Sequence, residues 1–220
     1  MCSLWFSHYT EPMGSEVSTG GGRTARGRIE RRQAILDGAF AVFARRGYAQ
    51  TCVKEIAQEA GVAKPTVYSH LNDKESLYRE AVEVAADRIG ARSLAVVEQL
   101  REVAADSDPC APLTDVARDL LRVFSTPDAR AVRQLACAEA AQFPELAASV
   151  RARTTLRVRS ALADRLARIA LAGRLRPCDP EVAAEHFLSL LTGPLEYRPD
   201  AAPDTVAAQA ADVFLRAYGT

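Results

Sequence analysis

From Arg28 onward, apolar positions recur at three- and four-residue spacing. Ile35, Leu36, Ala39, Phe40 and Phe43 fall on one face of a helix predicted over Arg28–Arg46. Arg45, Arg46 and Gly47 end it. A short helix, Val53–Ala60, follows with Val53, Ile56 and Ala57 inward, and Gly61 stops it. A third, Lys64–Leu71, has Pro65 in its first turn, where the missing N–H costs nothing. Asn72-Asp73 interrupts, and Asp73 is a good N-cap for a long fourth helix from Lys74 to about Arg101. Leu77, Ala81, Val84, Ile89 and Leu94 carry its apolar stripe.

Residues 104–112 read as a loop. Beyond it the pattern predicts helices near Leu113–Ser125, Pro127–Gln142, Pro144–Ala172, Pro180–Leu191 and Ala202–Tyr218. Gly173, Pro177, Gly193, Pro194 and Pro199 mark the stops. No repeat is evident, and no alternation is long enough for a strand. Residues 1–26, with Gly20–Gly22 and no apolar period, predict a disordered extension. Translation from Met13 would remove the first twelve residues.

Composition supports an all-helical reading, because alanine, leucine and arginine are abundant and β-branched and aromatic residues sparse. The formal net charge is zero, so a basic patch must be local. The only lysines are Lys54, Lys64 and Lys74, all between Arg23 and Glu75, where ten basic residues face six acidic ones. A cationic end on a neutral body suits a polyanion at that end alone.

Cys2, Cys52, Cys110, Cys137 and Cys178 are odd in number and form no CxxC pair, which reads as free thiols in a reducing compartment. His8, His70 and His186 do not cluster, so no metal or other cofactor is expected. No apolar run approaches the ~20 residues of a membrane helix, and the start lacks a signal-peptide layout. The expected location is the cytoplasm.

The segment TCVKEIAQEAGVAKPTVYSHLNDKESL reads as helix, turn at Gly61-Val62, helix. Ile56, Ala57 and Val62 can pack on Val67 and Leu71, with Arg28–Arg46 as the third wall. The second helix is left with an outward side bearing Lys64, Thr66, Ser69 and His70, and Tyr68 near its edge. Such side chains suit phosphates and base edges in a major groove.

This segment resembles the DNA-binding domain of the tetracycline-repressor (TetR) family. That family's pattern is F-x-x-x-G-[YF], then T-[TS]-V-x-x-I-A-x-x-A-G-V, then S-K-x-T-[LV]-Y-x-[HY]-F-x-x-K-E-x-L. The matching residues are Phe43, Gly47, Tyr48, Thr51, Val53, Ile56, Ala57, Ala60, Gly61, Val62, Lys64, Thr66, Val67, Tyr68, His70, Lys74, Glu75 and Leu77. The resemblance covers about Arg28 to Val84. It implies that Lys64, Pro65 and Thr66 face bases and that Lys54 reaches a base edge or phosphate. Tyr68, His70 and Lys74 would grip phosphates, and Ser69 lies on the same face. Cys52, Ala63 and Leu71 depart from the pattern, standing where Thr or Ser, Ser, and Phe are usual; Thr51 is available to replace the first cap. The arginines Arg23, Arg26, Arg28, Arg31 and Arg32 suit either an arm touching DNA or a solvated tail.

The expected architecture is all-α. Residues 27–76 form a helix-turn-helix DNA-binding domain, with the motif itself at about 52–71. Residues 77–220 form a helical effector-binding and dimerisation domain. No GxSxG, Gly-rich phosphate loop or HExxH appears, so no catalytic residues are expected. The resemblance implies a homodimer joined by the last two helices, and Val182, His186, Leu190, Val206, Ala210, Val213 and Ala217 are seam candidates. It also implies an effector pocket among the middle helices, with Phe124, Cys137, Phe143 and Phe187 as candidate lining. The expected partners are a palindromic duplex operator, a second copy of the chain and a small hydrophobic or amphipathic ligand. A constitutive DNA-binding protein with a solid C-terminal half, or a helical enzyme carrying the motif by descent, are the competing readings.

Overall fold

The computed structural model describes residues 20–102, 109–198 and 200–220. The helices are α1 (Gly20–Gln50), α2 (Val53–Glu59), α3 (Lys64–His70), α4 (Lys74–Glu98) and α5 (Cys110–Phe124). They continue with α6 (Pro127–Ala138), α7 (Pro144–Arg151), α8 (Arg157–Leu171), α9 (Pro180–Tyr197) and α10 (Pro203–Tyr218). Among the described residues the only β pairing is a single bridge, Leu175 to Gly219.

Most helix boundaries follow from local chemistry. Asp73 Oδ1 accepts the Ser76 N–H at 2.6 Å and starts α4. Thr126 Oγ1 accepts from Ala129 at 3.3 Å and starts α6. Pro127, Pro144, Pro180 and Pro203 each open a helix. Gly47, at φ 73°, kinks the end of α1.

Three elements differ from expectation. Within the stretch expected to be disordered, residues 20–26 are helical, and the rest lies outside the described residues. Extending an existing helix is cheaper than starting one, and the Arg26–Glu30 pair supports this exposed turn. Helix α9 runs through Pro194 instead of stopping at Leu191. It forfeits one backbone hydrogen bond there, while Leu195 continues its packing against the core. The rod expected over Pro144–Ala172 contains a π-turn at Ala152–Leu156, between α7 and α8.

Two apolar cores result, and they do not divide where the sequence pattern does. The first joins α1, α2 and α3 to the first half of α4, and also takes Ala129, Val132, Leu135, Phe143, Leu146 and Val150 from α6, α7 and the loop between them. At its centre Tyr78 is fully buried. Its ring lies 5.0 Å from Phe43, 4.9 Å from Tyr48 and 5.4 Å from Phe143. Its hydroxyl donates to the Leu135 carbonyl at 3.1 Å. The second core is built from α5, α8, α9, α10 and the end of α4, around Phe187 and Phe214 at 5.1 Å. Helix α4 therefore belongs to both.

Candidate nucleic-acid interface

Helices α2 and α3 are short because Gly61 and Asn72-Asp73 stop them. Gly61 sits at φ 64°, a left-handed conformation that disfavours any residue with a Cβ, and it lets α3 turn across α2. Val53, Ile56 and Ala57 of α2 are buried, as are Val67 of α3 and Leu71. This packing leaves one side of α3 uncovered. Lys64, Pro65, Tyr68 and Ser69 are exposed there, and Thr66 and His70 are half-buried beside them. Tyr68 is 44% exposed, and Lys64 Nζ lies 5.9 Å from its ring centre. Ser69 Oγ donates to the Thr66 carbonyl at 2.8 Å, which leaves the hydroxyl oxygen able to accept.

The flanking lysines are placed differently. Lys54 is exposed on α2. Lys74 at the start of α4 lies 4.6 Å from the centre of the Tyr48 ring, and its Nζ donates to the Ala49 carbonyl at 3.3 Å. Lys74 is thus held at the joint between the end of α1 and α4. A charge fixed in this way suits a phosphate more than a base edge. Two of the three departures from the family pattern are compensated. Thr51 does not cap α2: it is buried, and its hydroxyl donates to the Gly47 carbonyl at 2.7 Å. Instead the Glu55 carboxylate accepts the Cys52 N–H at 3.2 Å. Ala63 supplies no side-chain cap to α3, and Leu71 fills its place in the core. Ion pairs brace the unit: Arg45 holds Glu59 at 2.6 Å and Arg46 holds Glu55 at 3.1 Å. The Arg45 guanidinium keeps the Glu59 carboxyl below its usual range, and the Ser76 N–H does the same for Asp73.

Of the arginines on the early part of α1, Arg26 pairs with Glu30 and Arg32 with Glu80. Arg28 and Arg31 are exposed. Arg88 of α4 also reaches back to Asp37 of α1 at 2.7 Å.

A pocket lies where the two cores meet, with about 580 Å³ of space counting its open mouth. Ile89, Ala129, Val132, Val150, Val158 and Leu188 form its buried floor. Arg133, Thr154, Thr155 and Thr192 supply its polar lining. Arg133 Nη1 donates to the Phe124 carbonyl at 3.0 Å. Of the expected lining residues, Phe124 is present in the wall. The others are not. Phe143 is spent on the first core against Tyr48 and Tyr78, Phe187 is spent on the second against Phe214, and Cys137 is exposed on α6. The polar side chains of the wall, Arg133, Thr154, Thr155 and Thr192, were not among the expected lining. Their only sequence signal was a threonine pair in an otherwise arginine-rich helix.

The expected seam is likewise divided. Val206 and Ala210 face inward from α10 and belong to the chain's own second core. Val182, His186, Val213 and Ala217 face outward and Leu190 is half-buried, forming a stripe across α9 and α10. Val182 and Val213 are 44% and 50% exposed. His186 Nδ1 and Tyr218 Oη are hydrogen-bonded at 2.6 Å beside that stripe.

No group of histidine, cysteine or acidic residues among the described ones is arranged to hold a metal. No described helix is long and apolar enough to cross a membrane.

Comparison with known proteins follows the same division. The profile for bacterial regulatory proteins of the tetR family matches residues 35–81, and the profile for the C-terminal domain of AefR-like transcriptional repressors matches residues 111–220. A TetR-family transcriptional regulator from Mesorhizobium loti superposes with a TM-score of 0.79 at 26% identity, over 88% of this chain and 98% of that one. The transcriptional regulator AcrR of Shigella flexneri is 41% identical over 61 residues, 28% of either protein. The transcriptional activator FasR of Mycolicibacterium smegmatis is 37% identical over 36% of this chain and 37% of its own length. The alignments to these two curated relatives therefore span little more than a third of either at most.

Proposed function

Because the chain belongs to the tetR family of bacterial regulatory proteins, we propose that it is a homodimeric transcriptional repressor that binds a specific operator and is released from it by a small amphipathic ligand. The observation that carries the reading is the uncovered face of α3. Val67 is buried beneath it, while Lys64, Pro65, Tyr68 and Ser69 are exposed, in a segment that also carries the cations Lys54 and Lys74. Lys64, Pro65 and Thr66 at the start of α3 read base edges in the major groove. Tyr68, Ser69, His70 and Lys74 hold the flanking phosphates, and Lys54 supports them from α2. The family is one of regulators, not enzymes. Its target being the chromosome, the protein works in the cytoplasm.

One such unit reads one half-site, so two copies read a palindrome with half-sites about 34 Å apart. The outward stripe of Val182, His186, Leu190, Val213 and Ala217 is the surface through which the copies join. The repressor assignment follows the AefR-like profile over the C-terminal half. The open pocket between the cores favours a ligand-responsive protein over a constitutive one, since a solid body offers an effector no place. Its buried apolar floor and polar edge suit a ligand with one apolar end and one hydrogen-bonding end.

Genomic footprinting followed by gel shifts on the recovered site tests this. Lys64→Ala should weaken that site by about 10- to 100-fold and relax its sequence preference. Lys74→Ala should weaken all DNA alike and reduce the salt dependence by about one counterion. Equal binding to random duplex would refute sequence-specific recognition.

A further inference from the structure

The rod α7–α8 bears no proline or glycine between Pro144 and Leu171, yet it does not run as a regular helix. Residues Ala152–Leu156 are wound as a π-turn, a rare arrangement that fits one extra residue into a helical turn. This turn touches two things at once. On one side Thr154 and Thr155 line the pocket, and Thr154 Oγ1 donates to the carbonyl of Val150, itself part of the floor. On the other side the turn lies directly on α4. A Cβ at Gly90 would overlap the carbonyl oxygen of Arg153, so the two backbones are in contact with no side chain between them.

The Arg153 side chain fastens the same joint. Its guanidinium pairs with Asp87 of α4 and lies 3.5 Å from Glu83. It also donates to Ser149 Oγ at 3.0 Å, and Ser149 in turn donates to Glu83 at 2.6 Å. Asp87 and the half-buried Glu83 hold the guanidinium in its charged form. Sixteen residues before Gly90, about 24 Å along the helix, α4 begins with Lys74 at the DNA-facing end. Tyr78 stands one turn further on.

We propose that the π-turn at Ala152–Leu156 is the joint that converts occupation of the pocket into movement of α4, with Gly90 and Arg153 as positioning residues. The proposal rests on the pocket being the effector site. A ligand that displaces Thr155 or competes for the Thr154 hydroxyl moves the carbonyl of Arg153. Gly90 has no side chain to absorb that movement. Shifting the extra residue by one position displaces the helix by about 1.5 Å, enough to re-seat a packed interface between two discrete arrangements. The ion pairs of Arg153 then carry the shift to the half of α4 that belongs to the reader's core.

The test replaces the unknown ligand with a side chain. Thr192→Trp at the rim and Ala129→Phe in the floor each fill the pocket, and each is combined with Arg153→Gln and with Gly90→Ala. Operator affinity is read by fluorescence anisotropy on the footprinted site, with helical content and dimer mass checked for every variant. In the wild-type background, at least one filled and folded variant should bind about tenfold more weakly. In the Arg153→Gln background, filling should change affinity by less than about twofold, and Arg153→Lys should restore part of the response. Gly90→Ala alone must push the turn off α4 and should weaken operator binding, read where helical content and dimer mass match wild type. If filling has the same effect with and without Arg153, the joint lies elsewhere and the pocket reading survives. If folded, filled variants bind like wild type, the pocket is not an effector site and the proposal falls with it.

Discussion

The reader and the body of this protein are built on opposite plans. The reader, α1 to α3, is braced by cation–carboxylate pairs and carries its chemistry outward on one short helix. The body has ion pairs too, Arg118 with Asp204 and Arg165 with Glu98 among them, but it encloses an apolar pocket with a polar edge and presents an apolar stripe to solvent. The reader's fold is nearly dictated by local signals: a glycine at each turn, an aspartate cap and a fixed set of buried positions. The body's helices are long, alanine-rich and ambiguous about which side faces in. The more telling difference lies in how the cores are shared. Helices α6 and α7 belong by sequence to the body, yet Ala129, Val132, Leu135, Phe143, Leu146 and Val150 pack into the reader's core. An event at the pocket is therefore already an event in the reader's foundations.

The strongest challenge to that view is a pair of truncations. Phe143→Ala opens a cavity beside Tyr48 and Tyr78 and should cost about 3–5 kcal/mol, with residues 35–81 losing amide-exchange protection. Phe187→Ala should cost a similar amount but leave that protection largely intact, because its ring packs on Phe214 in the second core. Equal loss in both variants would mean that the cores melt as one unit. A finer probe is Tyr78→Phe. It removes one buried hydrogen bond, to the Leu135 carbonyl, which still accepts the Glu139 N–H at 3.2 Å. The expected cost is about 0.5–1.5 kcal/mol in chemical denaturation.

Acid gives the smallest and least selective contrast. The carboxyls of Asp73 and Glu59 in or beside the reader, and of Glu98 paired with Arg165 of α8, all sit below their usual range. A carboxyl with a lowered folded value stabilises above its unfolded value, near pH 4, and that stability is lost as pH falls through the folded value. Both regions should therefore loosen together below about pH 4. A circular-dichroism titration in which only one set of helices melts would contradict this.

The legibility of the sequence follows the same contrast. Each α3 position was readable because Gly61, Val67 and Leu71 fix which side is buried, and the outward side follows by elimination. In α10 the stripe was visible but its facing was not: Val206 and Ala210 turn inward while Val213 and Ala217 turn outward, all at helical spacing. The π-turn was hidden because RARTTLR carries no residue that forbids an ordinary helix. The turn packs against Gly90, and Arg153 lies 63 residues beyond that glycine in the chain. Phe143 and Phe187 look alike in sequence, and only the tertiary packing shows that each closes a different core.

Confining every lysine to positions 54–74 has a practical consequence at the bench. A sensor chip coupled through primary amines would seize the protein by Lys54, Lys64 or Lys74, apart from the chain's terminal amine, and so bury the surface it was meant to present. Tethering through the exposed thiol of Cys137 on α6 avoids that face, provided Cys2, Cys52, Cys110 and Cys178 are first replaced. Conversely, an amine-reactive label applied with and without operator reports occupancy of the reader from three side chains, over a body that carries arginine alone.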